Sequence, residues 1–432
     1  MITTKYVRDN IDDIRDTLKK RGSDYPIDEL LKLDEEWRSM KTTLQELQAE
    51  RNRESIKISE LKKKGKDAKK MVSQLGELKA RVEKGEKELD AKASRIEELL
   101  WNMPNTLDRS VPAGQPPEAN KVMREWGVPK KANIGTHEEI LVKAGLLDVE
   151  RAAKTAGARF YFLKGDMVLL EQALLRYALD FLASRGYIPI LPPFMLKRKY
   201  YRGAAPIATF EDALYSVGES REAAANRGIE HVGDELYMIA TAEHALAAMH
   251  AEELFSGNRL PLKYAGISPC FRREAGAHGK DTKGIFRVHQ FDKVEQFVFC
   301  KEEDEQKYFD ELLSNTEQMV QALGIPYRLV LLCSGDTGHQ MRKSVDLEGW
   351  FPGQKDYREL MTCSSAGVWQ SMRLDIKYDH KAERKYVCTL NNTGISAERM
   401  LVCITENYAN DDGTITVPKA LVPYMGKDRI GE

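Results

Sequence analysis

The sequence predicts an α+β protein: a mixed domain on a mainly antiparallel sheet, preceded by an antiparallel two-helix coiled-coil arm. Three observations predict it. A heptad repeat runs through residues 27–100 and is broken once, at a glycine; a proline-rich segment follows; and from about residue 135 short apolar runs alternate with helical stretches.

The arm comes first. Steps of four and three from Leu33 give Leu33, Trp37, Met40, Leu44, Leu47, Arg51, Glu54, Ile58 and Leu61, seven of nine apolar against a background of 42%. A second seam runs through Leu75, Leu78, Val82, Gly85, Leu89, Lys92, Ile96 and Leu99, six of eight apolar. Between them stands KKKGKDAKK, with Gly65 as the breaker, so two helices fold back on each other as a rod on the order of 50 Å long. A spacer or dimerisation coiled coil would carry the same seams. The tip separates the readings: Lys57, Lys62, Lys63, Lys64, Lys66, Lys69 and Lys70 face only Glu60 and Asp67, whereas residues 27–100 together carry 18 basic and 17 acidic side chains. Positive charge at the end of a stiff lever suits a phosphate backbone.

Residues 1–104 are therefore read as an N-terminal unit holding the arm. Residues 105–134, with Pro112, Pro116, Pro117 and Pro129, are read as a linker, and 135–432 as the second domain. In that domain the runs IPIL, FVFC, YRLVLL and LVCI read as strands, and residues 168–184 and 305–323 as helices. The length of 432 residues suits two or three domains, and 42% hydrophobic with 31% charged residues excludes a disordered chain. A net charge of −1 means that any nucleic-acid site must come from local clustering. Six scattered cysteines, no apolar stretch of membrane-span length and no apolar signal segment lead us to expect a reduced, cytoplasmic protein with no membrane partner.

The chemistry concentrates in FRREAGAHGKDTKGIFRVHQFDKVEQFVF, residues 271–299, which reads as two antiparallel strands joined by a polar, glycine-rich loop. Alternation puts Arg272 and Glu274 on one face, and likewise Arg287, His289, Phe291, Lys293 and Glu295. A solvated strand face would show one such row; charged beside apolar residues on both strands favours a polar pocket on a rigid sheet.

FRREAG, RVHQF and KVEQF resemble motif 2 of the seryl-tRNA synthetases, and the resemblance extends over nearly the whole chain. GYIPILPPF (186–194) resembles motif 1, whose proline, here Pro192 or Pro193, sits at a dimer interface; TLNNTGISAERMLVCITEN (389–407) resembles motif 3. GARFYFLKGD, TAEHALAAM, YRELMTCS and VPKALVPYMG also match, and TAEHALAAMH with CFRREAGAHGKDTKGIF resembles the archaeal branch. What this resemblance implies is a class II synthetase catalytic domain that activates L-serine with ATP and transfers it to tRNA(Ser), with tRNA(Sec) open as a second substrate, acting as a homodimer.

By the same resemblance Arg272 and Arg399 are the catalytic arginines, Arg272 bridging the serine carboxylate and the α-phosphate and Arg399 holding the γ-phosphate. Serine is expected among Thr241, Ala242, Glu243, Arg272, Glu295 and Thr393. ATP is expected against Arg272, Arg273, Glu274, Arg287, Val288, Phe291, Glu359, Leu360, Met361, Thr362 and Arg399, with Glu274 receiving the adenine amino group and Phe291 stacking on the ring. Glu359 and Thr362 are the expected Mg²⁺ ligands, and Lys62, Lys63, Lys64 and Lys66 the expected tRNA contacts. This makes physical sense: serine's carboxylate is already ionised at neutral pH, so its attack on phosphorus needs alignment and charge neutralisation and no general base. No zinc is expected, because threonine opens the TAE element and the cysteines lack ligand spacing. MTCSSAGVWQSMR departs from the family pattern, so the resemblance gives Ser364, Ser365 and Trp369 no role. A carrier-protein ligase on the same fold would lack the arm, and an inert paralogue would have eroded motifs; neither fits this sequence.

Overall fold

A computed structural model of the chain describes residues 3–130, 134–206, 211–218, 236–274, 283–381 and 383–431. It divides into two compact units, Met1–Pro104 and Asn105–Glu432.

In the first unit, short helices α1 (Thr4–Asp9) and α2 (Ile11–Arg21) precede two long ones, α3 (Ile27–Lys63) and α4 (Lys69–Asn102). Every residue of both predicted seams is buried or half-buried, whereas most of the other residues of the two helices are exposed. Cross-helix pairs run in opposite directions, Arg95 to Glu29 at 2.9 Å and Gln48 to Glu86 at 2.8 Å, which makes the hairpin antiparallel. Gly65, at φ +66°, turns the chain. The sequence reading had not placed α1 and α2; Val7, Ile14 and Leu18 are buried, and the buried Asp34 accepts from Arg38 at 3.0 Å and pairs with Arg8.

The second unit is built on an eight-stranded sheet: β1 (Lys121–Trp126), β2 (Ile188–Ile190), β3 (Leu262–Phe271), β4 (Gln290–Cys300), β5 (Tyr327–Leu331), β6 (Lys343–Phe351), β7 (Asp356–Gly367) and β8 (Cys388–Ser396). Their order is β1-β5-β6-β7-β8-β4-β3-β2, antiparallel throughout except for β2 against β3. Helices α5 (Asp166–Ala183), α6 (Ala242–Ala248), α7 (Glu305–Ala322), α8 (Trp369–Leu374) and α9 (Ala397–Tyr408) accompany it. α5, α7 and α9 share one large apolar core with the sheet through Leu174, Leu312, Val320, Leu401, Val294 and Val298.

Two expectations are corrected. The proline-rich segment is not simply a linker, because β1 lies within it and forms an edge strand on β5. The run LVCI (401–404) is helical, within α9. A short apolar run reads the same for a strand as for a buried helix, and here the five residues 400–404 are apolar and all buried, so no helical period shows in them.

Candidate active site

Alternation along β4 builds the floor of the site. Val294, Val298 and Cys300 enter the core shared with the helices, and Phe291, Lys293 and Glu295 line clefts on the opposite face. The pairing of β4 with β3 is unbroken from Gln290↔Phe271 to Phe299↔Leu262. Arg272 and Glu274 lie just past the end of β3, where the Arg272 N–H still donates to His289 O at 2.9 Å. The connecting loop, residues 275–282, lies outside the described residues.

Two bulges complete the face. On β7, Leu347 faces Met361 and Glu348 faces Glu359, which leaves Leu360 as an extra residue. Glu359 and Thr362, three apart, would point to opposite sides of a regular strand; the extra residue turns both into the same cleft. On β8, Val294 faces Ile395 and Glu295 faces Thr393, so Gly394 is the extra residue and Thr393 and Ser396 both line the site. A Cβ on Gly394 would stand 3.1 Å from Val294 O.

One end of the site, a cavity of about 330 Å³, gathers Thr241, Glu243, Arg272, Glu295 and Thr393. Glu295, fully buried, accepts from Thr241 Oγ1 at 3.1 Å and pairs with Lys293. Gln370 Nε2 donates to Glu243 Oε1 at 2.9 Å, and Thr389 Oγ1 donates to Gln370 Oε1 at 2.7 Å. Burial, then the charge of Glu295, pushes the Glu243 carboxyl up to about 7. Burial, with Lys293 and Arg272 nearby, pushes His244 down to about 3, so its imidazole is neutral. Two carboxylates that hydroxyls and amides orient, beside one arginine, make a receptor for a small molecule carrying both an ammonium and a carboxylate.

The other end holds Glu274, Phe286, Arg287, Val288, Phe291, Leu360 and Arg399. Arg287 pairs with Glu274 at 2.8 Å and Arg399 with Glu359 at 2.8 Å. The Arg272 guanidinium lies 5.0 Å from the centre of Phe291, and Arg399 5.1 Å from that of Phe286. Arg399 holds the Glu359 carboxyl below the usual range. Thr362 Oγ1 donates to Asp346 at 2.6 Å, and burial followed by the Glu359 charge raises the Asp346 carboxyl well above its ordinary value. Aromatic faces with three arginines suit a base bearing phosphates, and Glu359, Thr362 and Asp346 offer the hard oxygen donors that Mg²⁺ takes.

The structure thus brings together most of the expected residues, and sets four apart. Met361 is buried in the core, on the far side of β7. Ala242 is buried in α6 between Thr241 and Glu243. Arg273 lines neither end, and its N–H donates to Ala213 O at 2.9 Å. His289 braces the backbone, donating from Nδ1 to Arg272 O at 2.8 Å, because alternation lapses past the strand end. The four tip lysines are exposed in the first unit. Ser364 joins the first cavity, while Ser365 donates to Glu305 and Trp369 is buried under Arg373. Phe286, Asp346, Gln370 and Ser396 were missed: Phe286, Gln370 and Ser396 stand in stretches that drew attention without being singled out, and Asp346 stands in none of them. Among the described residues no three His, Cys, Asp or Glu side chains converge on a metal position, and no helix is long and apolar enough to cross a membrane.

The likeness to known proteins agrees with this geometry. Residues 1–107 match the family described as the seryl-tRNA synthetase N-terminal domain, and residues 227–408 the class II core domain of the G, H, P, S and T tRNA synthetases. The serine–tRNA ligase of Cenarchaeum symbiosum is 44% identical, with both chains covered completely. The crystal structure of seryl-tRNA synthetase from Pyrococcus horikoshii complexed with ATP superposes with a TM-score of 0.90 at 37% identity, covering 100% of this chain and 99% of that one. The cytoplasmic serine–tRNA ligase of Naegleria fowleri in complex with AMP gives 0.85 at 36% identity, over 98% and 95%. With a helical hairpin ahead of an antiparallel sheet, and a cleft fitted for an amino acid beside a nucleotide, this chain belongs to the seryl-tRNA synthetase family, the class II serine–tRNA ligases.

Proposed function

We propose that the cleft activates serine with ATP in the orientation its two ends suggest, and that the hairpin grips the tRNA which accepts the product. The observation that carries this is the position of Arg272 at the junction, reaching from the cavity with Thr241, Glu243, Glu295 and Thr393 to the Phe291 ring. In this reading Glu295 and Glu243 take the serine ammonium, Thr241 and Thr393 take the hydroxyl, and Arg272 takes the carboxylate with the α-phosphate. A site that pairs a substrate hydroxyl rejects the analogue without it by about 10⁴ to 10⁵. Phe291 and Val288 seat the adenine, Glu274 receives its amino group, and Arg287 and Arg399 hold phosphates, so both of their present carboxylate pairs must open as ATP enters. Glu359 and Thr362 would hold Mg²⁺, which would neutralise phosphate charge.

The carboxylate of serine attacks the α-phosphorus, pyrophosphate leaves, and the seryl-adenylate then acylates a tRNA hydroxyl and releases AMP. tRNA(Ser) is the proposed acceptor, with Lys62, Lys63, Lys64 and Lys66 on its phosphates. The apolar groove of Leu191, Pro192, Pro193 and Met249, in which Leu191 and Met249 are exposed, supports a homodimer, which a monomeric mass by light scattering would overturn. Six buried free cysteines suit the cytoplasm. The deciding experiment is pyrophosphate exchange with serine, threonine, alanine and cysteine. Exchange should require serine, and Arg272→Ala should lower it by about 10² to 10³ while the fold is kept; equal exchange with alanine, or near-normal exchange in the variant, would refute the assignment.

A further inference from the structure

Glu398 lines the nucleotide end of the cleft and also a second cavity of about 250 Å³, shared with Tyr161, Glu171 and Asp292. It is 1% exposed. The β4–β8 ladder ends at Lys293↔Ser396, and the next N–H of β4, that of Asp292, donates to both Glu398 carboxyl oxygens at 3.0 Å. The Tyr161 hydroxyl donates to the same carboxyl, and Glu171 of α5 hydrogen-bonds it. Asp292 follows Phe291 and Glu398 precedes Arg399. One carboxyl therefore ties the strand end that carries the proposed adenine platform to the first turn of the helix that carries the proposed γ-phosphate arginine.

Two carboxyls hydrogen-bonded to each other, Glu398 fully buried and Glu171 half-buried, hold one proton between them, because charging both at that distance carries a penalty. The titratable groups of the second cavity are acidic, Tyr161 from the loop before α5, Glu171 from α5, Asp292 from β4 and Glu398 from α9, while on its cleft side Glu398 shares the lining with the cations Arg272, Arg287, Lys293 and Arg399. His289 packs its ring on Phe160, which also lines this cavity, at 5.0 Å. Burial, then the Glu171 charge, raises Glu398 well above the ordinary range; burial, then Asp292, pushes Glu171 up to about 7; burial raises Asp292.

We propose that Glu398 is a positioning residue for the nucleotide end of the site, and that the proton it shares with Glu171 makes that positioning depend on pH. The inference rests on reading Phe291 and Arg399 as the residues that grip ATP. Its sign follows from the raised values. Below about pH 7 the pair keeps its proton and the tie holds; as pH rises through that value a second buried charge appears, and Phe291 and Arg399 are pushed out of register. ATP binding should weaken on the alkaline side. Glu243 titrates in the same range but faces the serine end, so the two effects separate in the two Michaelis constants.

The test is pyrophosphate exchange of the full chain between pH 6 and 9, at saturating Mg²⁺, reading KM for ATP and for serine. The KM for ATP should rise severalfold above pH 7.5 in the native protein and stay level in Glu171→Gln, whose side chain cannot ionise. Glu398→Ala should raise the KM for ATP about tenfold, the loss of one charged hydrogen bond, and change that for serine less than twofold. A native pH slope in Glu171→Gln, or equal effects of Glu398→Ala on both substrates, overturns the proposal. If Glu398→Ala melts early, Glu171→Gln alone decides. Arg399→Ala is the control: if it leaves the KM for ATP unchanged, the reading of the nucleotide end has failed, whereas an intact Arg399 effect with a silent cluster fails this inference alone.

Discussion

Glu295 shows what a single residue can and cannot reveal. Its place on the functional face of β4 was legible because Phe291, Lys293 and Glu295 follow a period of two, and the strand is regular from Gln290 onward. Its partners were not legible: Thr241 is 54 positions away, and Gln370, which orients the neighbouring Glu243, stands in a stretch where the family pattern gave no guidance. Arg272 and Glu274 were paired by the same rule, but Glu274 sits at φ +48° beyond the strand, so its aim is set by the loop and by Arg287. Because Glu295 touches only the serine end, Glu295→Ala should raise the KM for serine by about 10² or more, since its neighbours Lys293 and Thr241 lose their buried acceptor. The KM for ATP should change little. Equal changes in both, measured by exchange, would make Glu295 a structural residue.

At the level of elements, the two bulges were invisible in the sequence because a bulge is defined by the opposite strand. Leu360 and Gly394 become extra residues only once Leu347–Glu348 and Val294–Glu295 are laid beside them. The seams of α3 and α4 were legible in full because both partners of that contact lie in one stretch of chain and repeat with a fixed period. LVCI failed for the converse reason, since burial on all sides erases periodicity. The bulge on β8 has a direct test. Gly394→Ala places a methyl 3.1 Å from Val294 O, and should cost about 1–3 kcal/mol, the range for overpacking, seen as a lower Tm. It should also raise the KM for serine by displacing Thr393. An unchanged Tm and KM would mean that the strand absorbs the methyl without moving the site.

For the whole molecule, the division of labour between the units yields the sharpest prediction. Every residue assigned to adenylation lies beyond position 240, and the hairpin carries none of them. Deleting residues 30–100 should therefore leave serine-dependent exchange largely intact and abolish aminoacylation. Neutralising Lys62, Lys63, Lys64 and Lys66 should weaken tRNA binding, each lost phosphate contact flattening the slope of log K against log salt by about 0.7 to 0.9. Unchanged affinity and slope, measured by filter binding across salt, would move the contact to the flanks of the rod. The boundary after Pro104 was readable from composition; that the following segment feeds an edge strand was not, since Lys121–Trp126 is exposed throughout and carries no alternating pattern.

The strand order also decides when during synthesis each unit can form. α3 and α4 are consecutive, so the hairpin can close as soon as about one hundred residues have left the ribosome. The sheet cannot. β8, near the C-terminal end of the chain, lies between β7 and β4 in the middle of the sheet, so until residue 396 has emerged β4 and β7 both present bare edges, and the β3–β4 hairpin has no central neighbour. For the last third of translation the nascent protein thus carries a finished arm beside an open sheet, whose apolar face is the surface that chaperones must shield.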